Sequence, residues 1–420
     1  MIAVHRALPL FAAYGLELEY MLVDAETLDV LPVADAVLRA AAGSTVGDWE
    51  NGALAWSNEL VLHVLEVKTN GPVEKLAGVS ALFQRDLAQL GELLVPLGGR
   101  LMPTAMHPWM QPQHETRLWP HAYAEVYAAF DSIFDCRAHG WANVQSAQIN
   151  LPFAGDDEFA RLHAAIRLVL PLVPALAASS PFIDGHFDGW LDRRLEAYRV
   201  NCARVPSVTG PMVPEPIWTR AAYETEILAR IQRDLLPHDP ARILQAEWVN
   251  ARGAIARFDR SAIEIRLLDM QECPQADLGV AALLTAAVRA LVQEQWASFA
   301  AQKAWDEARL AELLRACMHD AELAPIDDAE YLSVFGLTPN MARNGGEVWR
   351  HLASALPEVP DECQRALAVI LEQGPLARRI LAATGLEPTR ARLQRVYREL
   401  CDCLDQGRMF GRREVDRDAW

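Results

Sequence analysis

Cysteine is scarce here and odd in number: seven residues, at 136, 202, 273, 317, 363, 401 and 403, with no CxxC pair. That argues against a disulfide framework and for idle thiols in a reducing cytoplasm, the expected location. Long apolar runs are also missing. The stretch from Leu168 to Ile183 is broken by Pro171, Pro174 and Pro181, too short and interrupted to span a bilayer. The apolar Ala7–Leu16 segment is followed at once by Glu17 and Glu19, so no signal peptide and no membrane partner are expected. Basic residues fall short of acidic ones, 39 against 56, for a net charge of -17. Such a surface repels phosphate backbones and makes nucleic acid an unexpected partner. It does not bar ATP, because local Arg residues or metal cations can invert the sign inside one cleft. With 23 Gly and 25 Pro, collagen-like and low-complexity arrays are excluded. No GxGxxG follows a strand and no GxxxxGK[ST] occurs, so any nucleotide must be held by other means.

What remains is a chain of 420 residues, 51 % hydrophobic and 23 % charged, able to bury a large core. Apolar–polar alternation predicts strands over 14–24, 60–69 and 143–153, and one long strand or a pair over 254–268. Helical spacing predicts helices over 33–42, 73–97, 123–134, 156–176, 192–200 and 219–236. Beyond Asp277 the period is helical throughout. The strands come singly, without the regular crossover helices of a parallel sheet. An α+β fold with an antiparallel sheet is therefore favoured over a doubly wound one. The irregular stretch from His107-Pro108-Trp109 to Trp119-Pro120-His121 is a candidate lid over a cleft.

Four groups of residues can carry chemistry. Glu17 and Glu19 lie two apart on a strand and share a face, with Leu16 and Leu18 opposite. Two close carboxylates repel unless a hard cation such as Mg²⁺ or Mn²⁺ lies between them. Glu59 and Glu66 sit in a largely apolar segment where charge is costly unless paired. Seven residues apart, they face opposite ways on one regular strand, so both reach a common site only through a bulge or an earlier strand start. Gln148 and Asn150 share a strand face with Ser146 and can hold a substrate or lend oxygen to a cation. Glu264 and Arg266 share a face opposite Ile263, Ile265 and Leu267. Arg266 offers a planar fork for phosphate or carboxylate. Arg252, Arg257 and Arg260 lie just before it, a local excess of Arg that suggests an anion site.

The ordered set of GLELEY (15–20), ELVLHVLEVKT (59–69), SAQINLPF (146–153), SSPFIDG (179–185), DRRLEAYR (192–199) and IEIRLLDMQECP (263–274) resembles the glutamate–cysteine ligase family. These are carboxylate–amine ligases of the glutamine synthetase superfamily, and the likeness covers roughly residues 14 to 280. It implies a curved, mainly antiparallel sheet forming an active-site funnel, with helices outside. It implies a catalytic domain over 1–290, a helical region over 291–420 packed on it, and ATP and divalent metals on the concave face. Glutamate's side-chain carboxylate would be phosphorylated and then joined to an amine, with cysteine foremost. By the resemblance Glu17, Glu19, Glu59, Glu66 and Glu264 fall on metal-binding carboxylates, and Arg266 falls on the Arg that contacts phosphate. Gln148 stands where some members carry a metal-ligating His and others Gln. NLPF lacks the acid of the plant-type NLDF. Arg257, Arg260, Gln148 and Asn150 are taken with the nucleotide, and Arg194 with Tyr198 as the substrate's carboxylate clamp. Small molecules are the expected partners, with a homo-oligomer possible. The alternatives are the same chemistry with a different acid or amine, and a catalytically silent ATP- and metal-binding regulatory member.

Overall fold

The alternation in the first strand segment sets the architecture. In a computed structural model describing residues 7–356 and 358–411, β1 runs Gly15–Asp24. Leu16, Leu18, Tyr20 and Leu22 point into the main core, leaving Glu17 and Glu19 on the other face. Next comes a hairpin, β2 (Asp48–Asn51) and β3 (Leu54–Asn58). Its tight turn uses Gly52 at φ 68°, a left-handed conformation that glycine adopts without strain. β4 (Val64–Thr69), β5 (Gly99–Met102), β6 (Ser146–Pro152), β7 (Ala254–Arg257) and β8 (Ala262–Asp269) complete the sheet. Their order is β2-β3-β4-β1-β6-β8-β7, with β5 beside the far end of β1. Every pairing between these strands is antiparallel.

The α+β class and antiparallel sheet are as expected; several boundaries are not. The strand expected over 60–69 begins only at Val64, because Leu62 and Val61 pair instead with Arg117 and Leu118. The helix expected over 73–97 is Val79–Leu94. The β2–β3 hairpin and β5 were missed; each strand has five residues or fewer, too short for alternation to register. The candidate lid is no lid. His107 is fully buried with Nε2 2.8 Å from the Leu28 carbonyl. Trp109 packs edge-on to Tyr397, and its indole N–H donates to Asp29 at 3.0 Å. Its start is a seam beneath the helix Arg390–Gln406, and its far end is pinned by the Trp119 backbone N–H donating to the Leu60 carbonyl at 3.0 Å.

Helices cover the core face of the sheet. Pro274–Val292 packs against Gly155–Val169, Val79–Leu94 and Asp361–Gln373. Gly155–Ala177 and Pro274–Val292 are long and apolar enough to cross a bilayer, which the proline-broken run had not implied. Here 94 % and 83 % of their most apolar stretches lie inside the protein, so that hydrophobicity serves the core. Pro171 and Pro174 are tolerated because each begins a new helical turn, where its missing N–H is not needed. Later helices join the same core: Trp305 and Trp349 are buried in it, and the Trp349 indole donates to the Leu172 carbonyl at 2.7 Å.

Candidate active site

Strand register brings the acidic residues together. On β1 and β4, Glu17 lies opposite Lys68 and Glu19 opposite Glu66; on β1 and β6, Glu17 lies opposite Gln148; on β6 and β8, Asn150 lies opposite Glu264. All are on the face away from the main core. Glu59 arrives neither by a bulge nor by an earlier strand start. It sits in the connection between β3 and β4, which frees it from the period-2 rule. Glu19, Glu59 and Glu66 each place a carboxylate oxygen within 4.8 Å of the others.

A bulge in β8 shapes the other half. Between Ala147 and Ile149, β6 spends one residue while β8 spends two, Arg266 and Leu267. The extra residue inverts the alternation, so Glu264, Arg266 and Asp269 all serve the same face. Asp269 lies opposite Ser146 and its carboxylate accepts from the Ser179 N–H and Ser180 Oγ, both at 2.8 Å.

Each acid has a defined setting. Glu19 accepts from the Ser146 N–H at 2.7 Å and from Gln148 Nε2 at 2.8 Å. Glu17 accepts from Asn150 Nδ2 at 3.0 Å. Glu66 accepts from Ser57 Oγ at 2.7 Å and pairs with Lys68 Nζ at 3.0 Å. Glu264 pairs with Arg266 Nε at 3.0 Å and Arg257 Nη1 at 3.3 Å. No hydrogen bond reaches the Glu59 carboxylate among the described residues. Burial, then the charge of Glu66, pushes Glu19 up to about 7, against the Ser146 N–H and the charges of Arg194 and Arg266. Burial, then Glu66 and Glu264, holds Glu17 well above the usual carboxylate range. Burial, then Glu19 and Glu66, does the same to Glu59. Burial draws the Arg266 guanidinium down, but Tyr198 and the carboxylates outweigh it and hold it above its ordinary value. These acids are too many for the cations beside them. Three oxygens at this spacing, one of them on an acid with no donor, are a fitting donor set for a hard divalent cation.

Not every expected residue joins. Arg194 is buried and lies beside the site, but its guanidinium is spent: Nε on Asp269 at 2.5 Å, Nη2 on the Leu267 carbonyl at 2.8 Å. It braces the bulge and has no open fork for a substrate carboxylate, since a buried charge must be paired. Arg193, Arg199 and Arg204 are held by Asp188, by Glu196 and by the Ile133 carbonyl. Arg260 stands on the β7–β8 turn, 59 % exposed and beside Asp259, outside the cluster. Arg252 is buried against Glu215. Tyr198 lines the cleft together with Arg266. Sequence reasoning missed Lys68 and Asp269. Lys68 was legible as the i+2 neighbour of Glu66 on a strand; Asp269 was hidden by the bulge.

One open antiparallel sheet with an acid-lined face defines the class, an α+β fold with its candidate site on the sheet. The chain belongs to glutamate–cysteine ligase family 2, whose model matches residues 13–399. It is 35 % identical over 280 residues to an uncharacterized protein of Archaeoglobus fulgidus, covering 67 % of this chain and 75 % of that one. It is 29 % identical over 290 residues to a protein of a Bradyrhizobium strain provisionally named glutamate–cysteine ligase 2, covering 66 % of this chain and 62 % of that one. A glutamate–cysteine ligase of Francisella tularensis, solved in complex with AMP, shares the fold with a TM-score of 0.56 at 12 % identity, over 95 % of this chain and 89 % of that one.

Proposed function

We propose that this protein is an ATP-dependent ligase joining a carboxylate, on the sequence reading the side-chain carboxylate of glutamate, to an amine. The reading rests above all on three carboxylates from separate segments converging within 4.8 Å beside Arg266. Glu19, Glu59 and Glu66, with Glu17 and Glu264 beside them, would hold the divalent cations. Bound there, such cations neutralise the phosphates of ATP. Arg266 faces the transferred phosphoryl group, with Arg257 behind it on Glu264. Gln148 and Asn150 keep Glu19 and Glu17 aimed. The acid's carboxylate oxygen attacks the γ-phosphorus and ADP leaves. The amine nitrogen then attacks the acyl carbon. The C–N bond forms, the C–O bond to phosphate breaks with its electron pair leaving on phosphate, and the amine gives up a proton. All seven cysteines are free and buried, in keeping with a cytoplasmic setting.

Purified protein with Mg-ATP and glutamate should release ADP only when a suitable amine is added, with a product mass equal to acid plus amine less water. Metal-dependent ATP binding with no ADP from any acid and amine would overturn the ligase in favour of a silent nucleotide binder. Arg266→Lys should cut turnover by about 100-fold or more, because a point charge cannot replace a guanidinium already tied to Glu264. A near-normal rate would move the phosphoryl contact to Arg257.

A further inference from the structure

One side of the cleft beside Glu19 and Glu59 is an aromatic wall of Phe130, Trp141 and Trp248. Behind that wall lies a second, partly open cavity of about 520 Å³. Small-molecule sites commonly occupy roughly 300–1,000 Å³. Two thin leaves divide this cavity from the cleft. One is a ring pair: Phe134 lines the cavity, Trp141 lines the cleft, and the two stack with centroids 5.4 Å apart. The other is the helix Arg193–Val200, which turns Arg194 and Tyr198 to the cleft and Arg193, Ala197 and Val200 to the cavity. Gly140 lets this helix come close. A Cβ there would stand 2.5 Å from the Ala197 carbonyl oxygen.

Both signs of charge line the second cavity: Arg193 and Arg204, Asp131 and Asp135. Arg193 donates to Asp188 through Nε alone, at 2.7 Å, and its Nη1–Nη2 edge has no partner among the described residues. Arg204 clasps the end of the helix Ala124–Phe134 through Nη1, on the Ser132 and Ile133 carbonyls at 3.3 and 3.1 Å. Asp131 accepts the Cys136 N–H through Oδ1 at 3.0 Å, and Asp135 accepts from Gln113 through Oδ2 at 3.3 Å. The second oxygen of each has no partner among the described residues. His139 adds no charge. Its Nδ1 accepts from Asn143 Nδ2 at 3.1 Å, so Nε2 keeps the proton that it donates to Asp184 at 3.2 Å. An anion alone would meet the two aspartates here, and a cation alone would meet the two arginines. A zwitterion satisfies both signs, with its carboxylate on a guanidinium fork and its ammonium on carboxylate oxygens. Much of the remaining lining is hydrocarbon, Ile133, Phe134, Ile183 and Val200 among it, which suits an apolar body.

We propose that this cavity is an effector site for a small zwitterion, an ammonium and a carboxylate on an apolar body. The carboxylate sits on the free edge of Arg193 and the ammonium on Asp131 and Asp135. The helix Arg193–Val200 passes occupancy to the cleft, because its Arg194 holds the Arg266 and Leu267 carbonyls of the β8 bulge at 3.4 and 2.8 Å. The inference goes beyond the ligase reading, and its test needs no turnover.

Calorimetric titration of the protein without nucleotide tests the ligand class. Leucine and the dipeptide alanylleucine are compared with 3-methylbutylamine and 4-methylpentanoate, which are leucine without its carboxylate and without its ammonium. Inorganic phosphate is the anion control. We expect a zwitterion to bind at least tenfold tighter than either half-charged analogue and than phosphate. Leucine leads if the two charges seat side by side, the dipeptide if they seat apart. Arg193→Ala and Asp135→Asn should each weaken that binding about tenfold or more. Asparagine tolerates the left-handed backbone at 135, φ 55°. The bound zwitterion should also shift the Kd of Mg-ATP by about threefold or more in the wild type and not in Arg193→Ala. No saturable binding overturns the inference. So does equal binding of an analogue or of phosphate, and so does binding that survives both variants, which would put the ligand in the cleft. Binding that leaves the Kd of Mg-ATP unchanged overturns the effector role. Absence of ADP release with every acid and amine would remove the ligase reading alone, because both titrations still decide this site.

Discussion

Glu19→Gln is expected to lower turnover by about 1,000-fold or more, near 4 kcal/mol in barrier, while making the metal-free protein more stable. The two effects have one origin. Ionised Glu19 is held among other acids, and only a cation makes that charge favourable. Without the cation it is a cost. Its folded pKa of about 7 against an ordinary 4.5 sets that cost, at alkaline pH, at up to about 3 kcal/mol. Glutamine removes the charge and keeps the shape. Gln148 donates to Glu19 Oε1 and carries its own buried, unpartnered Oε1, so its amide can turn over and accept from the new side-chain amide. The measurement is turnover together with melting in chelator at pH 8. Full activity would dismiss the cation assignment. A lower melting temperature would show that Glu19 serves the fold as a hydrogen-bond acceptor and not as a strained charge.

The second large effect is a reversal of pH dependence by Mg²⁺. Glu19 has a folded pKa raised above its unfolded value, so the folded state binds more protons between the two. Its contribution to stability is fully present below about 4.5 and is lost as pH rises through about 7. Glu17 and Glu59 are shifted in the same direction. In chelator, stability should therefore fall from pH 5 to pH 8, by up to about 3 kcal/mol from Glu19 alone. Cation binding needs the ionised acids and expels their protons. The increment from added Mg²⁺ or Mn²⁺ should be small at pH 5 and large at pH 8. Thermal or urea unfolding across that range checks it. A flat profile in chelator would mean that Lys68, Arg266 and Arg257 already balance the acids.

Local pattern made part of this legible. Leu16, Leu18 and Tyr20 alternate with Glu17 and Glu19, and Ile263, Ile265 and Leu267 with Glu264 and Arg266, so both pairs of polar residues were assigned to one face of their strands. The convergence of Glu19, Glu59 and Glu66 was inferred from family order, yet the route of Glu59 through a connecting segment follows no period and could not be read. Arg194 was misread because its partner, Asp269, lies 75 positions away and beyond an irregularity that alternation cannot detect. The aromatic wall was hidden for a similar reason. Phe130, Trp141 and Trp248 come from three helices, and nothing in a single chain says that they meet.

The extra residue in β8 carries a further consequence for how this sequence can change. Up to Arg266 the strand keeps one phase, and from Leu268 it keeps the other. Residue count there is as constrained as the identities of Glu264, Arg266 and Asp269. Losing one position at 266–267 would swing Asp269 to the opposite side and strand the Arg194 charge in the interior. An insertion or deletion along that strand would therefore undo both halves of the site at once, which no single exchange outside Glu264, Arg266 and Asp269 does.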